Sequence, residues 1–130
     1  MNKLTFSSEL LDSFQKLADD CIECKLCMHE CIMLNDFCGT PKELFKGFVK
    51  TGEVDPVIPY SCNICNQCTI VCPKKLELGI RFMDIRKEMV KKNSGKSPIK
   101  GHSAVEIHQS LSFSKLFNTT KSFKYKKGGS

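Results

Sequence analysis

No stretch of this 130-residue chain approaches the roughly 18 to 20 consecutive apolar residues of a membrane-spanning helix. The opening MNKLTFSSELLDSF turns polar and acidic where an export signal would place its apolar run. A soluble, cytoplasmic protein with no transmembrane segment is the expectation. No run of alternating apolar and polar residues marks a strand. No Ser/His/Asp or Cys/His grouping and no glycine-rich phosphate loop can be made out, so the chain shows no active site of its own. His29, His102 and His108 each stand in polar or mixed surroundings without a second ligand at metal spacing, and read as surface or locally bonded histidines. The length suits one domain with a modest core.

What the chain does have is cysteine. There are nine, an odd number, and with no export signal to imply an oxidising compartment they point to metal binding rather than a disulfide framework. Eight of the nine fall into two runs of identical spacing, CxxCxxCxxxC. The first is CIECKLCMHEC, Cys21 to Cys31, and the second is CNICNQCTIVCP, Cys62 to Pro73. This is the ligand run of a bacterial 4Fe-4S cluster. A cubane needs four soft anionic ligands around a compact core, and thiolate is the protein's best supplier. Three cysteines at i, i+3 and i+6 wrap one cluster, and in two-cluster proteins the fourth reaches across to the other. On that rule cluster I takes Cys21, Cys24, Cys27 and Cys72, and cluster II takes Cys62, Cys65, Cys68 and Cys31. Such crossing would staple the two halves of the chain through metal bonds.

Paired CxxC units also make four-cysteine zinc sites, so a zinc or structural-cluster interaction domain is the alternative. Zinc needs only two doublets, and would leave Cys24, Cys65, the longer steps to Cys31 and Cys72, and Pro73 unexplained. Cys38 breaks the symmetry. It is either a buried or free thiol packing as a small hydrophobe, or a substitute for Cys31, which is followed by Ile32 instead of proline. Ile22, Leu26, Met28, Ile64, Ile70 and Val71 lie between the ligands and are expected to shield the clusters from water. Lys25, Lys74 and Lys75 sit beside ligands and would favour the reduced state if they pointed inward.

Helical patterns flank both runs. Ser7 and Ser8 are N-cap candidates for a helix whose stripe is Leu10, Leu11, Phe14, Leu17 and Ala18. Thr40-Pro41-Lys42-Glu43 combines a capping box with proline at the first helical position, and Gly52 supplies a C-terminal stop. EVDPVIPYS, with Pro56 and Pro59, is expected to be extended. After Pro73 comes a helix with Leu78, Phe82, Ile85 and Met89 on one face, ending near Lys91, Lys92 and Gly95. A weaker helix is expected from Ser103, where Ser103 to Glu106 forms a capping-box pattern, through Ile107 and Leu111. The fold class is therefore all-α.

The net charge of +6 falls to about +2 once eight thiolates and two oxidised cluster cores are counted. Residues 1–73 hold 6 Lys/Arg against 10 Asp/Glu, whereas residues 74–130 hold 14 against 4. The basic excess lies after the second run, where it could dock an acidic partner or form a solvated tail. No nucleic-acid motif accompanies it, so no nucleic acid is expected as a partner. A dicluster domain over residues 1–111 and a linker-like basic tail over 112–130, leading to a further domain, is the expected organisation.

With both motifs set between helices, the chain resembles the alpha-helical ferredoxin domain of the heterodisulfide reductase family, in its small iron–sulfur component. It is similar also to the iron–sulfur subunits of anaerobic glycerol-3-phosphate dehydrogenase and glycolate oxidase. The resemblance covers roughly Leu10 to Leu111. It rests on CIECKLCMHEC, the spacer with IPYSC, and CNICNQCTIVCPKKLELGI, and departs from the usual pattern in lacking proline after Cys31. It implies an all-helical fold with two 4Fe-4S clusters, acting as a non-catalytic electron-transfer domain or subunit of an oxidoreductase. The implied partners are a flavoprotein and a catalytic domain carrying Cys-Cys-Gly motifs, which this chain itself lacks. The small β-rich bacterial ferredoxin carries the same motifs and is the rival fold; the capped helix between the motifs argues against it.

Overall fold

A computed structural model describes residues 6–118, and every regular element among them is helical. The chain divides into two compact units, Met1–Pro98 and Ile99–Ser130.

Among its described residues the first unit holds seven helices: α1 (Ser8–Asp20), α2 (Leu26–Glu30), α3 (Ile32–Phe37), α4 (Pro41–Thr51), α5 (Val57–Ser61), α6 (Gln67–Val71) and α7 (Leu78–Lys92). The three long ones build the core because each carries an apolar stripe at helical spacing. From α1 come Leu10, Phe14, Leu17 and Ala18, from α4 Leu44, Phe45 and Phe48, and from α7 Leu78, Phe82, Ile85 and Met89, all buried. Phenylalanine rings join the three. Phe45 lies 5.4 Å from Phe14, 5.4 Å from Phe48 and 5.6 Å from Phe82, centroid to centroid. Tilted and edge-on pairs of this kind add about 0.5–1.5 kcal/mol each beyond area burial.

Local chemistry sets the helix ends. Thr40 is the N-cap of α4, its hydroxyl accepting from the Glu43 N–H at 3.2 Å, with Pro41 in the first turn and Gly52 closing the helix at φ 67°. Ser7 is the N-cap of α1 without a side-chain cap bond. It turns instead to α7, donating its N–H and hydroxyl to Glu88 at 2.6 and 3.0 Å. The segment expected to be extended is corrected: Val57–Ser61 is the helical turn α5. The Val57 N–H finds a partner in the Asp55 carboxylate at 2.9 Å. Pro56 and Pro59 lie at the N-cap and in the first turn, where a missing N–H breaks no intrahelical bond.

In the second unit, α8 (His102–Ser112) starts one residue before the expected capping serine, with Gly101 as N-cap. Ser103 donates its hydroxyl back to Lys100 O at 2.7 Å and so does not cap. Val105, Ile107 and Leu111 are exposed, and no residue of α8 is buried. Of the tail expected over 112–130, residues 119–130 lie outside the described residues.

Candidate metal centre

The two cysteine runs fold alike. Each follows a helix that ends one residue before its first cysteine, and that cysteine is extended: Cys21 at φ −74°, ψ 119°, Cys62 at φ −76°, ψ 126°. Two left-handed residues come next at matching positions, Glu23 (φ 57°) and Lys25 (φ 61°) in the first loop, Ile64 (φ 55°) and Asn66 (φ 63°) in the second. A short helix then carries the third cysteine, α2 for Cys27 and α6 for Cys68, and these two helices pack on each other. The fourth cysteine of each run is again extended.

None of the four left-handed residues is glycine. Left-handed non-glycine backbone costs about 1–3 kcal/mol per residue, and for the β-branched Ile64 it is an outlier in any context. Turns of this kind direct successive backbone N–H groups to one side, making the concavities in which anions and iron–sulfur clusters sit. One such bond is already formed, from the Ile64 N–H to the Cys62 sulfur at 3.4 Å.

Cys21, Cys24 and Cys27 line one shallow recess, partly open to solvent, together with Cys72 from the other run. Cys68, assigned by spacing to the other cluster, reaches the same recess, and Pro41 and Leu78 bring α4 and α7 to its wall. Burial pushes the Cys27 thiol up to about 12, helped by the neighbouring Cys68, Cys21, Cys72 and Cys24. Burial also raises Cys62 against the opposing pull of the Ile64 N–H and Arg86, and Cys31 and Cys65 push the same way as burial. Thus Cys72 lies among the thiols of the first run, and Cys31 is a neighbour of Cys62 in the second. Burial lifts Cys68 too, while Thr69 and the Gly79 N–H, in the first turn of α7, act against it. Cys24 and Cys65 are exposed.

Among the described residues, no three Cys, His, Asp or Glu side chains converge closely enough to hold a single metal ion. A cubane asks for something different, because its thiolates stand apart around a core of iron and sulfide. A set of soft donors in one half-buried recess, backed by N–H groups, fits that group. Cys38 stands beside this set. It is half-buried in the turn closing α3 and donates to Leu34 O at 3.2 Å. Burial, then Glu43, Cys31 and Cys21, raise its thiol to about 11.

Residues 20–77 match the family model described as a 4Fe-4S dicluster domain. That stretch is less than half of the chain, and it contains all eight cysteines of the two runs. No curated protein and no solved structure matches the chain. The dicluster match supports an iron–sulfur, ferredoxin-like domain that binds 4Fe-4S clusters, in an all-helical setting. Among the described residues, no helix is long and apolar enough to cross a membrane.

The apolar residues of the dicluster stretch are not all where the spacing suggested. Met28 is buried and Ile64 and Val71 are half-buried, but Ile22, Leu26 and Ile70 are 56, 47 and 62% exposed. Ile22 lies in the exposed stretch 22–26 of the first loop, and Leu26 and Ile70 stand on the outer sides of the short helices α2 and α6. Lys25, Lys74 and Lys75 are exposed as well, with Lys25 and Lys74 at the rim of the recess.

Two positions that hold the cysteine loops have no signal in the sequence. Lys42 in α4 donates to Cys21 O at 3.2 Å. Arg86 in α7 donates to Cys62 O and, at 2.8 and 2.6 Å, to Pro59 O. Each first cysteine therefore has its carbonyl gripped by a cation from a core helix. No spacing rule could have found them, because the pairing exists only once the helices pack.

Proposed function

We propose that the chain binds two 4Fe-4S clusters and relays single electrons within a larger, heterodisulfide reductase-like oxidoreductase. Cluster I is held by Cys21, Cys24, Cys27 and Cys72, and cluster II by Cys62, Cys65, Cys68 and Cys31. What supports this reading is the position of Cys72, the fourth cysteine of the second run, in the recess lined by Cys21, Cys24 and Cys27 of the first. When bound, each cluster supplies a one-electron carrier.

The chain's own residues hold and tune. The eight thiols give up their protons to bind. The left-handed turns and the N–H groups of Ile64, Thr69 and Gly79 face sulfur and favour its negative charge. Cys24 and Cys65 are exposed, so both loops come to the surface, where a flavoprotein or a Cys-Cys-Gly-bearing domain could approach. The rival zinc scaffold needs only two cysteine doublets and would leave the matched middle cysteines Cys24 and Cys65 without a role.

The test is an anaerobic redox titration followed by electron paramagnetic resonance. The relay predicts reversible one-electron signals from two centres in each chain. A protein whose only metal is zinc, with no signal at any potential, would end this reading.

A further inference from the structure

With two clusters bound as proposed above, we infer that Arg86 is the positioning residue of cluster II: it fixes the Cys62 loop through its carbonyls and sets that cluster's potential by its unbalanced charge.

The two loops share one backbone plan and differ in how the gripping cation is balanced. In the first loop that cation is Lys42, and its ammonium lies 3.6 Å from the carboxylate of Glu23. Glu23 is the first left-handed residue of that loop and is further held by the Thr40 hydroxyl at 3.3 Å. The grip on Cys21 is thus a neutral pair. In the second loop the matching left-handed residue is Ile64, which carries no charge. Arg86 forms no ion pair among the described residues; its contacts are the carbonyls of Pro59 and Cys62 and the ring of Tyr60, 5.2 Å from the guanidinium carbon. Carbonyls and an aromatic face orient a guanidinium without cancelling its charge.

A fixed cation beside Cys62 favours the state with one more electron. The first site has lysines too, Lys25 and Lys74, but both are exposed, and solvent and salt screen them. Arg86 is half-buried and screened less. Its grip is also geometric, because three donor–acceptor contacts hold the turn from Pro59 to Cys62 against α7, and with it the angle at which the loop enters the site. The redox step moves one electron from an external low-potential donor, with no bond made or broken and no proton transferred.

The experiment is the anaerobic redox titration applied to the full chain and to Arg86→Gln, Arg86→Lys and Glu23→Gln. Arg86→Gln should make one centre harder to reduce by about tenfold in its equilibrium, about 59 mV for one electron, and leave the other where it was. Arg86→Lys keeps the charge and should load both centres with most of that shift restored. Glu23→Gln uncovers the Lys42 charge and should make the other centre easier to reduce. Should Arg86→Gln lose one centre altogether, the Lys variant decides: a restored centre at near wild-type potential upholds the inference, and a missing one overturns it. Unchanged potentials in Arg86→Gln, or equal shifts of both centres, also overturn it. A wild-type chain without two reducible centres would instead overturn the function proposed above.

Discussion

If the left-handed turns are the frame of the site, replacing one of their residues by glycine should do the reverse of what glycine does in a helix. Lys25 is exposed and sits at φ 61°, so a glycine there loses little packing. A left-handed L-residue costs about 1–2 kcal/mol, which Lys25→Gly removes. Glycine's added freedom in the unfolded chain returns about 0.5–1 kcal/mol of that. The net expectation is a stabilisation of about 0.5–1 kcal/mol. Lys16 is exposed in the middle of α1 and has no strain to relieve, so Lys16→Gly should cost about 1 kcal/mol. The same substitution thus has opposite signs at two exposed lysines. In parallel anaerobic thermal melts followed by helical circular dichroism, the two midpoints should differ by on the order of 10 °C, with Lys25→Gly higher. Asn66→Gly should be close to neutral, since asparagine tolerates this conformation better than lysine. Lys25→Gly destabilised as much as Lys16→Gly would show that the turn is not held in this form.

Other expectations follow from the same structure. Cys72→Ser and Cys31→Ser should each lower the iron content of anaerobically purified protein, whereas Cys38→Ser, which loses only a thiol contact to Leu34 O, should keep it; equal loss in all three would bring Cys38 into the ligand set. Phe45→Ala removes a fully buried ring packed on three others and should cost about 3–5 kcal/mol in denaturant unfolding. A cost under about 1 kcal/mol would mean the α1–α4–α7 core is not packed as described. Burial opposes the charge of Glu88, but hydrogen bonds from Lys92 and from the Ser7 N–H and hydroxyl, with the Lys92 charge, hold its carboxyl below the usual value. A lowered carboxyl stabilises the fold above its unfolded value and loses that contribution as pH falls through the folded one. Glu88→Gln should therefore destabilise at neutral pH and match wild type in acid, and a gap that persists in acid would contradict the assignment.

How far the chain could be read in advance varies with the range of the interactions. The long helices were legible because their signals are local: the Thr40 cap, Pro41 and Gly52 mark α4, and the stripes of α1 and α7 name their buried faces. The cysteine runs were legible because ligand geometry fixes spacing. The turn α5 was not, because two prolines look like breakers unless both are known to occupy the start of a helix. Nor was the exposure of Ile22, Leu26 and Ile70, because hydrophobicity says nothing about which way a short loop or a single helical turn points its side chains. The left-handed residues could not be read at all, since none of Glu23, Lys25, Ile64 and Asn66 is a glycine to announce it. The grips of Lys42 and Arg86 belong to tertiary packing alone.

Whether eight cysteines in two matching loops hold two iron–sulfur clusters is tested most directly by measuring iron and acid-labile sulfide per chain in protein purified without oxygen. About eight of each is the expected result. About four of each, or zinc without sulfide, would contradict it.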